Sequence, residues 1–301
     1  MITYTQYMLN SVITCKLMGG LGNQLFQICA TISYGIDTNR TIIFPYSDFL
    51  TVGNKRPTYW NDFLKSLLTF TTSNKTNYYN NQCLSSFPSI QEIEFAYTPL
   101  PHKPECMELM LSGYFQSYKY FESNKAEILS ILDIETQQDN IRHEYLGLDS
   151  ESINISMHFR IGDYQDLQHA HPLLPINYYD NAIRKITEQI QGSPIRILYF
   201  CEDNDLHLVE SKIQLLEETY DCYITFVHVD SSIPDWKQML IMSCCHHNII
   251  ANSSFSWWGA FFNQNTDKLV YYPDKWFGPA LMHHNTQDLI PTNWNKILYE
   301  L

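Results

Sequence analysis

SVITCKLMGGLGNQLFQICATISY, residues 11–34, decides how the chain is read. Residues 11–17 are mostly apolar, with Val12, Ile13, Cys15 and Leu17, which suits a strand buried on both faces. Residues 18–23 hold three glycines and form a loop, and residues 24–34 place Leu25, Phe26, Ile28, Cys29 and Ile32 at helical spacing. A strand, a glycine loop and a helix in that order open a βαβ unit, so a parallel sheet is expected. Working outward, residues 41–44 give a second strand closed by Pro45, and polar and aromatic segments continue to about residue 121. Periodicity then fades over residues 133–150, DIETQQDNIRHEYLGLDS, where a boundary is placed between domains 1–145 and 146–301. Beyond it strands at 153–159, 195–201, 223–229, 248–251 and 268–272 alternate with helices at 176–191, 206–219, 235–245 and 256–263. The expected class is therefore α/β. Its sheets are parallel and doubly wound, its ligands gather at the carboxyl ends of the strands, and two halves of this kind predict a cleft between domains.

Composition narrows the function. The 301 residues carry a formal net charge of −13, which disfavours a general nucleic-acid or anionic-membrane role, so an anionic ligand needs a local cation. The first twenty residues lack a basic leader and a long apolar run, and no stretch approaches the roughly 18 apolar residues of a membrane span. A cytoplasmic protein is expected. The eight cysteines include no C-x-x-C pair and read as reduced core thiols. The run Cys244, Cys245, His246, His247 has the composition of a metal site, but four consecutive side chains diverge on any regular backbone, and no metal is expected.

Four segments at predicted strand ends carry the candidate chemistry. Gly20, Gly22, Asn23 and Gln24 lie where a strand turns into a helix, and glycines there let a ligand approach backbone N–H groups. A nicotinamide site would need a third glycine where Leu25 stands and an acidic residue about twenty positions on; both are missing, and a tight structural turn is the alternative. His158 and Arg160 share a face at the end of the 153–159 strand, where the guanidinium can fork onto a diphosphate. Asp163 follows, either as a general base or as the ion-pair partner of Arg160. Glu202 and Asp203, within FCEDND at 200–205, can accept hydrogen bonds from a guanine or bind a divalent metal, and a solvated loop or a helix N-cap formed by Asp203 or Asp205 is the alternative. Ser253, Ser254 and Phe255 open a helix whose first N–H groups and hydroxyls make an anion pocket, while Trp257 and Trp258 read as core and Gly259 as close packing on the sheet.

Taken together these segments resemble glycosyltransferase family 11, the alpha-1,2-fucosyltransferases. The resemblance runs through GGLGNQLFQ at 19–27, SGYFQSYKYF at 112–121, MHFRIGDY at 157–164, LPINYYDNAI at 174–183, FCEDND at 200–205, NIIANSSFSWWGAFFN at 248–263 and YYPDKWF at 271–277. It implies a GT-B-type fold of two facing Rossmann-like domains, the first on the acceptor side and the second binding GDP-fucose. It also implies Arg160 on the diphosphate, with Ile161 where the wider superfamily has a second arginine, and His158 and Asp203 near the nucleoside. Ser253 and Ser254 then add phosphate contacts, the 20–24 loop faces the donor, and residues 113–117 help form the acceptor side. The implied reaction inverts the fucose anomeric centre onto the 2-hydroxyl of a galactoside, without a cofactor or a metal. The alternatives are a GDP-sugar transferase of another linkage, a non-catalytic nucleotide or glycan-binding module, and the nicotinamide enzyme already disfavoured.

Overall fold

Val12, Ile13 and Cys15 have almost no exposed surface, as expected of a strand covered on both faces, and they begin the first of two compact units. The computed structural model describes residues 11–51, 53–146, 152–190, 194–220 and 224–300. Unit 1 is Met1–Leu132 with Gln287–Leu289, and unit 2 is Asp133–Thr286 with Ile290–Leu301.

In unit 1, β1 (Val12–Cys15) leads through α1 (Leu21–Asp37) to β2 (Thr41–Ile42). A short antiparallel pair, β3 (Phe49–Leu50) and β4 (Arg56–Pro57), precedes α2 (Asn81–Ser85), β5 (Ser89–Gln91), β6 (Glu108–Ser112) and α3 (Lys125–Ile131). The sheet order is β2-β1-β6-β5, and every pairing in it is parallel. α1 starts at Leu21 rather than at residue 24, because Gly20 takes the N-cap position and the Gln24 N–H already bonds to the Gly20 carbonyl at 3.0 Å. β5 and β6 lie within the region whose strands the sequence leaves unmarked. β6 buries only alternate residues and starts on a glutamate.

Unit 2 opens on α4 (Ile134–Ile141), which corrects the 1–145 division. Gln138 is buried on this helix and donates to Ser243 Oγ at 2.8 Å and to the Phe262 carbonyl at 3.0 Å, tying the helix to unit 2. Its partners sit far ahead in sequence, so a polar-looking stretch becomes part of a core. Asp133, with φ +54, makes the turn that separates α3 from α4. The unit then runs β7 (Ile153–His158), α5 (Ile176–Thr187), β8 (Ile195–Phe200), α6 (Leu206–Tyr220), β9 (Ile224–His228), α7 (Asp235–Ser243), β10 (His247–Ile249), α8 (Ser254–Phe262), β11 (Val270–Pro273) and β12 (Asn295–Ile297). All pairings in the order β12-β11-β10-β7-β8-β9 are parallel. Renumbered within the unit, this is the order 3-2-1-4-5-6 of a dinucleotide-binding Rossmann sheet. The α/β class and the two Rossmann-like parallel sheets of a GT-B-type chain are thus both present.

The core of unit 2 packs Ile155, Met157, Tyr178, Tyr179, Ile183 and Ile197, all with at most 1% exposure. Trp257 and Trp258 are fully buried against Phe261, so they are core. A Cβ at Gly259 would lie 2.8 Å from Met242 Cβ; the residue is therefore small to admit α7, not the sheet. Among the described residues no helix is long and apolar enough to cross a membrane. Cys15, Cys29, Cys201 and Cys245 are free and buried, Cys83 is exposed, and Cys222 lies outside the described residues.

Candidate functional site

A parallel sheet leaves a crevice where the strand order reverses, because successive connections leave the central strands on opposite sides. In unit 2 that point lies between β7 and β10: β8 and β9 continue to one side of β7, β11 and β12 to the other side of β10. The two segments that leave the carboxyl ends of these strands are 158–164 and 252–255, and β8 delivers 201–205 next to them. Three stretches singled out in the sequence therefore meet at one sheet edge.

Arg160 is the hub. One guanidinium nitrogen, Nη1, bonds Glu202 and the other, Nη2, bonds Asp163, while the cation lies 5.0 Å from the Tyr164 ring centre. Burial works against its charge, but the carboxylates of Glu202 and Asp163 outweigh that and raise its pKa. His158, the last residue of β7, is buried, and its Nδ1 has no hydrogen-bond partner. Burial first, then the neighbouring Arg160 charge, pulls the imidazole down to about 3, so it is neutral at physiological pH. Its ring lies 5.6 Å from that of Phe255, at the start of α8.

The acidic segment divides its labour. Glu202, expected near a nucleobase, is committed in this structure to Arg160. Asp203 is exposed and accepts from Ser231 Oγ at 3.0 Å. Asp205 is buried, and instead of capping a helix it accepts the Gly162 N–H at 2.6 Å and Gln165 Nε2 at 3.4 Å. It thereby pins the turn that carries Arg160 and Asp163. Gly162 itself has φ +34, and a Cβ there would stand 3.1 Å from the Glu202 carboxylate oxygens. Asp163 takes the ion-pair position foreseen as the alternative to general base, so a base role requires its release from Arg160.

At α8, Ser253 is the N-cap, and its Oγ accepts the Phe255 N–H at 3.3 Å. Ser254 begins the helix, whose positive dipole end is thus delivered to the switch point. Asn252 and Tyr164 belong to this site but were not selected from the sequence. Tyr164 OH donates to the Asn252 carbonyl at 3.2 Å, joining the segments after β7 and β10, and the Tyr164 ring stacks on His171 at 4.6 Å. Asn252 is buried, with Nδ2 on the Pro172 and Trp276 carbonyls and Oδ1 unpaired. The signal for both was their place inside quoted motifs, MHFRIGDY and NIIANSSF.

In unit 1 the glycine turn is built as a ligand-approach loop in part only. Gly20 has open space where a Cβ would stand, and Gly22 lies in the first turn of α1. Gln24, expected to face a ligand, has no exposed surface and donates to the Gly19 and Pro57 carbonyls at 3.0 and 2.9 Å. It is a brace inside unit 1, since a helical residue one turn in points back under the loop. Asn23 Oδ1 accepts from Gln116 Nε2 at 2.8 Å.

The Cys-Cys-His-His run scatters as backbone geometry requires. Cys244 Sγ faces the Gln138 carbonyl and Cys245 Sγ the Ile241 carbonyl, while His246 Nδ1 and His247 Nδ1 accept the Asn154 and Leu269 N–H groups.

A two-unit α/β chain with an arginine and a helix start at a Rossmann switch point has the layout of a nucleotide-handling enzyme. The sequence profile of Glycosyl transferase family 11 matches residues 2–297, and the chain belongs to that family. It is 32% identical over 293 residues to the Escherichia coli O-antigen biosynthesis glycosyltransferase WbnK, covering 87% of this chain and 93% of the relative. An Escherichia coli alpha-1,2-colitosyltransferase is 25% identical, over 95% of this chain and 99% of its own length. A Caenorhabditis elegans galactoside 2-alpha-L-fucosyltransferase is 24% identical, over 97% and 81%. The protein is thus a glycosyltransferase by family.

Proposed function

We propose that this glycosyltransferase moves L-fucose from GDP-fucose to the 2-hydroxyl of a terminal galactoside, forming an alpha-1,2 linkage with inversion and without a metal. The observation that carries the reading is that the Arg160 segment and the start of α8 leave the two strands that frame the β7/β10 switch point and are joined there by the His158–Phe255 ring contact and the Tyr164–Asn252 hydrogen bond, a place suited to a sugar-nucleotide diphosphate. Two relatives whose names specify 2-linked transfer, of colitose in one and of L-fucose in the other, support the linkage.

The donor carries a beta-linked sugar and the product an alpha-linked one, so one displacement through an oxocarbenium-like state suffices. Charge gathers on the departing diphosphate, and Arg160 with the first N–H groups of α8 stabilises it, the role a metal takes in other sugar-nucleotide enzymes. His158 stays neutral beside Arg160 and, with Phe255, Glu202 and Asp203, borders the nucleoside. Ser253 and Ser254 add phosphate contacts through the helix start. Asp163 takes the acceptor proton once the diphosphate has replaced it on Arg160. In unit 1, Gly20, Gly22 and Asn23 supply further substrate contacts.

A second reading is transfer of colitose, which is fucose lacking its 3-hydroxyl; the colitosyltransferase relative favours it. Purified protein incubated with GDP-fucose and lactose or galactosides in EDTA, with the product linkage read by NMR, tests both. An alpha-1,2-fucosylated product with transfer abolished in Arg160→Ala is expected. Transfer only from GDP-colitose selects the second reading, and GDP-fucose turnover that is lost in EDTA or kept in Arg160→Ala overturns the mechanism.

A further inference from the structure

Unit 1 has a reversal of its own. β1 leads through α1 to β2 on one side, whereas β6, with β5 beyond it, flanks β1 on the other, so the carboxyl ends of β1 and β6 frame its switch point. Two segments that the sequence presents as separate motifs end there and touch: Gln116 Nε2 donates to Asn23 Oδ1 at 2.8 Å, across 93 positions of chain.

Both partners are held. Gln116 follows Phe115, whose φ of +53 is unusual for an aromatic residue and whose side chain has no exposed surface. Glu92 locks this turn by accepting the Tyr114 N–H on Oε2 at 2.7 Å and the Phe115 N–H on Oε1 at 2.8 Å. Gly113 makes room for it, because a Cβ at 113 would stand 2.3 Å from Glu92 Cβ. On the other side Gly19, with φ +77, lets Asn23 lie back over the glycine turn; a Cβ at 19 would come within 2.6 Å of Asn23 Nδ2. An amide has one acceptor end and one donor end, and Gln116 takes the acceptor end of Asn23. That fixes which way round the Asn23 amide sits, with Nδ2 on the side of the glycine turn.

We propose that Gln116 is a positioning residue that sets the orientation of the Asn23 side chain for substrate, and that Glu92 positions Gln116 by clamping the strained turn. The inference rests on the reading of Asn23 as a substrate contact. A carboxylate that serves only to fold the loop would not need its turn to end in a donor aimed at the first turn of α1.

A double-mutant cycle in GDP-fucose transfer tests it, with thermal midpoints measured alongside. Gln116→Ala, and the isosteric Gln116→Glu, which sets an acceptor against Asn23 Oδ1, should each lower kcat/KM about tenfold or more. Combined with Asn23→Ala they should cost less than about twofold further, since Gln116 acts through Asn23. Equal losses in both backgrounds, or retention of activity by Gln116→Glu, overturn the proposal. A second readout is independent of the sugar: hydrogen exchange over residues 18–26 should quicken in Gln116→Ala and in Glu92→Gln, and unchanged exchange overturns the proposal as well. Quickened exchange together with no transfer by the wild type would count against the fucosyl reading alone.

Discussion

His158 should make this protein acid-sensitive in a way that one substitution removes. Its ring is buried at the end of β7, Nδ1 lacks a partner, and Arg160 follows two residues later. Burial first and the Arg160 charge second bring its pKa from the ordinary 6.5 to about 3. Between those values the unfolded chain binds a proton that the folded one refuses, so the contribution of this residue to stability is complete above about pH 6.5 and declines as pH falls toward 3. Each pH unit inside that window is worth about 1.4 kcal/mol, so at pH 5 the loss is about 2 kcal/mol. Urea unfolding followed by tryptophan fluorescence at pH 7.5 and 5.0, on wild type and His158→Gln, isolates the effect, because the other histidines are common to both proteins. The drop between the two pH values should be smaller in the variant by about 2 kcal/mol. Parallel drops, or a His158 ring resonance that titrates near pH 6, would refute the reasoning.

Other sites give sharper contrasts. Asp205→Ala, which frees the Gly162 N–H, should reduce transfer about tenfold or more, whereas Asp205→Asn keeps an acceptor carbonyl and retains most of the rate; steady-state kinetics on both variants checks the order. Gly19→Ala should destabilise unit 1 by about 1–2 kcal/mol in denaturant melts, because φ is +77 and Asn23 stands in the way, while Gly20→Ala, at an N-cap with open space for a methyl, should cost less in the same melts and show its main effect in turnover. Under native conditions a thiol reagent with peptide mapping should label the exposed Cys83 and leave Cys15 untouched, since burial pushes the Cys15 thiol up to about 12.

From β7 to β11 the elements of unit 2 were legible within a few residues, because strand-forming runs alternate with helices of clear period; α8 starts at Ser254 rather than at residue 256, since Ser253 caps it. α4, reading IETQQDNI, and β12, reading NKI, were missed, because neither has an apolar run of its own. Unit 1 was legible only at its opening. β6 reads ELMLS and is half-covered, β5 has three residues, and both owe their strand form to pairing with β1 and with each other rather than to their own pattern. The candidate residues of unit 2 could be named one by one from strand-end chemistry. What linear reading could not supply was adjacency: that β10 docks beside β7, that Glu202 shares Arg160 with Asp163, and that Asp205 points at Gly162. Gln24 failed for the opposite reason, since its residue type suits a ligand contact and only the fold shows it turned inward.

The grip of two carboxylates on one guanidinium has a consequence for traffic through the site. Arg160, Asp163 and Glu202 together carry one excess negative charge, so an anion must displace two carboxylates to reach this arginine. If the site takes a nucleoside diphosphate as proposed, that ligand brings enough oxygen to replace both carboxylates at once. The same carboxylates wait beside the bound diphosphate and reclaim the arginine as soon as it loosens. Departure of the nucleotide is then an exchange of partners rather than the baring of a cation, and slow release need not throttle turnover.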